Sequence, residues 1–287
     1  MIKSNLKETG VRTDPVYEES DIMAGIYGDG IIALADAYDV TLIETMRRSI
    51  ERLFDEARHT EGGALPRGPQ RWYVEVAPER IDGFVPIISH RWFQAVCDAV
   101  LGPDWKIVEV GFDIPFPGAT LQPWHRDFAA PKMTLEGRQI NSLAFNLTAV
   151  DTTVEMGPFE IAPGTQWDRV DECPRGMFPD PLRWPRYEAR KVAKLAQRGS
   201  ISARSALTIH RGTPNVSRHA RPVLVIGVDG PSATNAAHHD LQMTAEFLAA
   251  LPENLRSRFS GRIVEEITAV RQNHVIEGLI EPANSGY

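Results

Sequence analysis

The sequence of 287 residues predicts a mainly β fold with flanking helices. Three observations predict it. After Trp105 the chain runs through short β-type segments separated by turn signals. Before and after that stretch, apolar residues recur at helical spacing. Proline is also frequent, at 21 residues. The usual share is about 5%, so the count disfavours a helical bundle and favours short elements joined by loops.

Residues 41–59 read as an amphipathic helix. Leu42, Ile43, Met46, Ile50, Leu53 and Phe54 form one stripe, with Arg48, Glu51, Arg52, Asp55 and Glu56 elsewhere. A Gly/Pro-rich loop follows, Glu61 to Gln70, and then a strand over Trp72–Val76. Trp92–Leu101 reads as a second helix, ended by Gly102-Pro103. The β-type runs are Ile107–Phe116, Asn141–Val150, Pro158–Ala162, Ser202–His210 and Pro222–Val228. Pro117-Gly118, Pro163-Gly164 and Gly212-Thr213-Pro214-Asn215 supply reversals between them. In Asn141–Val150, Ser142, Asn146 and Thr148 share one face, which is expected to line a pocket. Leu143, Phe145 and Leu147 share the other and should pack away from it. Thr165–Gly199 interrupts the β pattern as a long insertion, either a lid or a surface excursion, ending in a helix over Tyr187–Arg198. Helical periodicity returns in Leu241–Leu251 and Arg262–Val270. The simplest organisation is one domain, 1–287, with a helical part over 1–104, a β core over 105–230 carrying the 165–199 insertion, and a helical part over 231–287.

Composition narrows the function classes. The net charge is −7, and no basic run marks a nucleic-acid surface. No segment approaches the ~18 uncharged apolar residues of a membrane span. Met1–Pro15 is polar and has no signal-peptide core, and the two cysteines give no disulfide framework, so a cytoplasmic location is expected. The oligomeric state is left open, and a homodimer is compatible with the sequence.

The most informative segment is Gln122-Pro123-Trp124-His125-Arg126-Asp127-Phe128. His125 and Asp127 are two apart, so on extended backbone they face one way. Alone, this pair is common. A second segment strengthens it: His210 ends one β-run and Arg221 begins the next, with a reversal between them. Antiparallel neighbours lie about 5 Å apart, so both side chains can reach one pocket. Two histidines and a carboxylate with open positions are the ligand set of non-haem Fe(II) oxygenases. Arg221 adds a permanently charged fork for a carboxylate.

These residues resemble the phytanoyl-CoA dioxygenase-like family of Fe(II)/2-oxoglutarate-dependent oxygenases. That family carries His-x-Asp, a distal His and an Arg eleven residues later, which His125, Asp127, His210 and Arg221 match. Gly157-Pro158-Phe159-Glu160-Ile161-Ala162-Pro163-Gly164-Thr165-Gln166 resembles a further family segment, except that Gln166 stands where His is usual. Glu155-Met156 also precede Gly157 where Asn is common. The resemblance covers residues 105 to 230. It implies a double-stranded β-helix, a jelly-roll or cupin-type barrel. It implies Fe(II), 2-oxoglutarate and O2, with metal ligands His125, Asp127 and His210 and with Arg221 on the distal carboxylate of 2-oxoglutarate. The implied reaction hydroxylates a C–H bond of a small molecule and converts 2-oxoglutarate to succinate and CO2. Relatives that halogenate lack the carboxylate, so an intact Asp127 favours hydroxylation.

The resemblance also makes Asn146 a candidate for cosubstrate contact, because it lies eleven before Gly157, where members of the family often touch the cosubstrate. Ser217 and Gln122 are weaker ones. Arg67, Arg71, Trp72, Tyr73 and Arg186 are candidate substrate contacts; arginines among aromatics suggest a small carboxylated substrate, which the family resemblance leans toward an amino-acid derivative. Two other readings stay open: a metal- and ligand-binding β-barrel without turnover, and an oxygenase that desaturates or cyclises. His125-Arg126-Asp127 also imitates a kinase loop, but Lys132 stands where that loop needs Asn. His238 and His239 are expected to be exposed. His59, His90, His219 and His274 have no partner at metal spacing.

Overall fold

The computed structural model describes residues 17–169, 172–173, 176–268 and 279. Met1–Pro15, His274 and the end of the expected 262–270 helix lie outside them. The first helices are α1 (Glu19–Gly28), α2 (Val40–Ala57), α3 (Phe84–Ile88) and α4 (Arg91–Leu101). Asp39 caps α2 by accepting from the Thr41 N–H at 2.7 Å. His90, one of the unpaired histidines, caps α4 through the Trp92 N–H at 3.1 Å. Gly102 ends α4 at φ 79°.

The strands are β1 (Ile31–Leu34), β2 (Leu65–Pro66), β3 (Arg71–Glu75), β4 (Lys106–Pro115), β5 (Ser142–Thr148), β6 (Phe159–Ile161), β7 (Val192–Lys194), β8 (Ile201–Ser205), β9 (His210–Gly212) and β10 (Val223–Asp229). Seven form an antiparallel sheet in the order β1-β8-β5-β10-β4-β3-β2. Three form a smaller sheet, β7-β6-β9. His125 bridges to His210 by backbone bonds of 3.0 and 2.8 Å, placing the segment around His125 beside β9. The result is the expected jelly roll, but the large sheet does not close into a barrel.

The alternation in β5 sorts the two faces. Phe145 and Leu147 join the core between the large sheet and α2 and α4, where Phe145 meets Phe93 at 4.2 Å between ring centroids. Asn146 and Thr148 face the opposite way, into a cavity. The expected run Ser202–His210 is two strands, because the chain leaves the large sheet after Ser205 and enters the small one at His210. Gly157 sits at φ 68° where a Cβ would meet the Thr213 carbonyl at 2.5 Å, so glycine is needed for the loop to approach the 213–215 turn.

Three helical expectations are corrected. The 187–198 helix is only α6 (Trp184–Glu188), after which Val192–Lys194 pair with β6 and are drawn into a strand. The 241–251 helix is shortened to α7 (Ala245–Ala250), because Thr244 is its N-cap and the Glu79 carboxylate accepts from the Thr244 N–H at 2.8 Å. The preceding Gln242–Met243 form β11, which pairs in parallel with β12 (Arg262–Ile263), so 262–268 is not helical either. Two further short α-helices are α5 (Lys132–Gly137) and α8 (Glu253–Arg256). Among the described residues, no helix is long and apolar enough to cross a membrane.

Candidate active site

The two sheets enclose a cavity of about 200 Å³. It is lined by alternate residues of the strands: Arg71, Tyr73 and Glu75 of β3, Glu109 and Asp113 of β4, Asn146 and Thr148 of β5, and Val223, Val225 and Gly227 of β10. His125, Asp127, Phe159, His210 and Arg221 also line it.

His125 and His210 present their rings 4.3 Å apart, centroid to centroid. Each Nδ1 lies against a backbone carbonyl two residues back, Pro123 O at 2.8 Å and Thr208 O at 2.9 Å. A carbonyl only accepts, so each Nδ1 carries the proton and each Nε2 keeps a lone pair. Burial lowers the pKa of both rings, helped by His210 at His125 and by Arg204 at His210, so both are neutral near pH 7. Nε2 of His210 stands 3.3 Å from Oδ1 of Asp127. A lone pair facing an ionised oxygen at that distance calls for a cation between them. The donor set therefore fits a divalent metal with two nitrogens and one carboxylate.

Sequence reasoning missed Arg204. Its two terminal nitrogens donate to both Asp127 oxygens, at 2.7 and 2.9 Å. Although burial opposes ionisation, the Arg204 guanidinium holds Asp127 well below the usual carboxylate range. A carboxylate offers about four lone-pair positions, so the fork leaves room for a metal. The signal was present: Arg204 is a lone arginine among small and apolar residues of one strand.

Arg221 lies 5% exposed, and its Nε donates to the Gly157 carbonyl at 3.1 Å. Burial and Arg71 bring it down to about 10, so it remains charged. Asn146 lines the cavity and pairs with Val225 of β10. Gln122 also lines it, but ties two loops: it donates to Arg67 O at 3.0 Å and accepts from the Gly212 N–H at 2.9 Å. Ser217 does not reach the lining; its hydroxyl donates to Asn215 Oδ1 at 2.7 Å and shapes the turn. Arg67 and Tyr73 line the cavity, with the Arg67 guanidinium 4.8 Å from the Tyr73 ring. Arg71 lines it too, but donates to Asp113 at 3.1 Å and to Thr213 O. Trp72 points to the other face, toward Phe54, because strand alternation turns it away. Arg186 sits outside the cavity, paired with Asp168 at 2.6 Å. Gln166, the departure from the family segment, is fully buried and donates to the carbonyls of Ile26, Tyr27 and Gly28. It thus satisfies the open end of α1.

The end of the cavity beyond Gly227 is acidic. Glu75, Glu109 and His239 bring ligand-type atoms within 4.8 Å of one another, and Tyr73 donates to Glu109. His239 is therefore not exposed as expected; its Nδ1 is 2.9 Å from Glu75. Burial pulls the ring down, but Glu109 and Glu75 outweigh it and raise it to about 9. A group raised from 6.5 in the unfolded chain stabilises fully below pH 6.5, and that contribution fades as pH rises through 9. Thermal unfolding should therefore occur at lower temperature at pH 9 than at pH 6.5. His239→Gln should show a smaller fall, and an equal fall in both proteins would refute the assignment.

A family described as Phytanoyl-CoA dioxygenase (PhyH) matches residues 26–223. Among solved structures, the chain is similar to the epimerase SnoN in complex with Fe3+, alpha ketoglutarate and nogalamycin RO, at TM-score 0.59 and 16% identity, covering 74% of this chain and 83% of that one. It is also similar to the non-heme alpha ketoglutarate dependent carbocyclase SnoK from nogalamycin biosynthesis, at TM-score 0.58 and 17% identity, covering 73% and 83%. At these identities the structural likeness concerns the fold.

Proposed function

The chain belongs to the phytanoyl-CoA dioxygenase family, whose enzymes use Fe(II), 2-oxoglutarate and O2, and on that premise we propose that it hydroxylates an unactivated C–H bond of a small molecule. The observation that carries the reading is the approach of the His210 Nε2 to Asp127 at 3.3 Å, with the His125 ring 4.3 Å from that of His210 and Arg221 lining the same cavity. In this reading His125, Asp127 and His210 hold the iron, and Arg221 receives the distal carboxylate of 2-oxoglutarate. Bound together, iron, 2-oxoglutarate and O2 supply the oxidising power for C–H cleavage.

The protein's own part is placement. The Pro123 and Thr208 carbonyls fix the two imidazole tautomers and leave both Nε2 atoms with a lone pair. Arg204 holds the Asp127 carboxylate in one orientation. Phe159 stacks on His210 at 4.9 Å and covers that ring from the side of the small sheet. Among the arginines expected to meet a carboxylated substrate, Arg67 is the one not engaged by a carboxylate in the described residues. A carboxylated amino-acid derivative reaching Arg67 is the substrate class we favour.

A second reading shares the C–H cleavage but ends in stereochemical inversion or ring closure. It is favoured by the two structural neighbours, an epimerase and a carbocyclase. Mass spectrometry separates these outcomes. Incubation with Fe(II), 2-oxoglutarate, 18O2 and a panel of amino-acid derivatives should yield a product heavier by one labelled oxygen. A product lighter by two hydrogens indicates ring closure or desaturation. Consumption of 2-oxoglutarate with inverted product of unchanged mass indicates epimerisation. Either of the latter would refute hydroxylation.

A further inference from the structure

One buried and one half-buried cation face the Arg221 end of the cavity without a carboxylate at salt-bridge distance in the described residues. One is Arg221. The other is Lys194 of β7, within the long insertion. Register explains its direction. Lys194 pairs with Phe159, which faces the cavity, whereas Ala193 pairs with Glu160, which faces away toward Arg211 and Lys191. The Lys194 amine donates to the hydroxyl of Ser202. Ser202 pairs with Asn146, and Asn146 pairs with Val225. The amine thus stands over the rung of the large sheet at Val225, and Arg221 lies four residues before Val225 along the chain. The charged groups acting on Lys194 are Arg221 and Arg204. Arg204 is already occupied by Asp127.

A charge withdrawn from water favours a partner, and neither the buried Arg221 nor the half-buried Lys194 has a carboxylate at salt-bridge distance in the described residues. The Arg221 Nε is held by Gly157, which leaves its terminal nitrogens for a carboxylate. A carboxylate bound by one fork still has free lone pairs for an ammonium.

We propose that Lys194 is a second cationic anchor for the distal carboxylate of 2-oxoglutarate, binding it together with Arg221. This rests on the reading of the cavity as a 2-oxoglutarate site. One consequence follows from electrostatics. Burial, Arg221 and Arg204 push the free amine down to about 7. An incoming carboxylate favours the charged form, so above pH 7 cosubstrate binding draws a proton from the buffer onto Lys194.

The test is anaerobic calorimetry of 2-oxoglutarate binding to the Fe(II)-loaded protein at pH 6 and pH 8, in buffers of different ionisation enthalpy. Wild type should take up close to one proton per 2-oxoglutarate at pH 8 and little at pH 6. Lys194→Met should bind 2-oxoglutarate about 10- to 100-fold more weakly at pH 6 and lose the uptake at pH 8. Lys194→Arg should keep the affinity but take up no proton, since its guanidinium is always charged. 2-Oxobutyrate lacks the distal carboxylate, so wild type and Lys194→Met should bind it alike. Unchanged 2-oxoglutarate affinity and uptake in Lys194→Met would overturn the proposal. So would a parallel loss of 2-oxobutyrate binding, which would make Lys194 a structural residue. Failure of wild type to bind 2-oxoglutarate would overturn the cavity reading and this proposal with it.

Discussion

In Asp127→Ala, formation of succinate from 2-oxoglutarate falls by more than about 100-fold. Loss of a partner that merely orients a metal ligand already costs about 10- to 100-fold in metal affinity or activity, and Asp127 is proposed as a ligand itself. The same substitution strands Arg204, whose side chain is 6% exposed, without its carboxylate. Removing one partner of a buried ion pair costs about 3–5 kcal/mol, and the partial exposure of Asp127 puts this case near the lower figure. The two effects are separable. Asp127→Ala/Arg204→Met should recover much of the stability, measured by denaturant unfolding, while turnover stays lost. Recovery of turnover in the double variant would show that Asp127 serves Arg204 rather than a metal.

Arg221→Ala should raise the 2-oxoglutarate concentration needed for half-maximal turnover by about 10- to 100-fold, the value of a charge-assisted hydrogen bond set in a buried site. The maximal rate should fall less, because the metal donors remain in place. Arg221→Lys should recover only part of the affinity, since an ammonium cannot reproduce the planar fork. A variant with an unchanged 2-oxoglutarate requirement would remove Arg221 from the cosubstrate site.

The sequence disclosed those parts of the site that depend on short-range spacing. His125 and Asp127 are visible because they lie two apart on extended backbone. His210 and Arg221 are visible because one turn separates them. The polar face of β5 followed from alternation alone. Residues placed by pairing between distant segments were not visible. Lys194 was assigned to a helix, because nothing local reveals that Val192–Lys194 join the edge of β6. Arg204 reaches Asp127 across 77 positions, and His239 reaches Glu75 across 164. Trp72 and Arg186 were over-read for a related reason. Their types suggest recognition, but strand alternation aims Trp72 at α2 and Asp168 holds Arg186 outside. The C-terminal helix expectations failed where a cap at Thr244 and a two-residue pairing of β11 with β12 overrode apolar periodicity.

The proposed iron site is His125, Asp127 and His210, with 2-oxoglutarate chelating the metal. Anaerobic absorption spectroscopy tests it most directly. Adding 2-oxoglutarate to the Fe(II)-loaded protein should produce a visible metal-to-ligand charge-transfer band that decays when air is admitted. Asp127→Ala should give no such band. A wild-type protein that binds Fe(II) and 2-oxoglutarate yet shows no band would contradict the account, as would a band of equal intensity in Asp127→Ala.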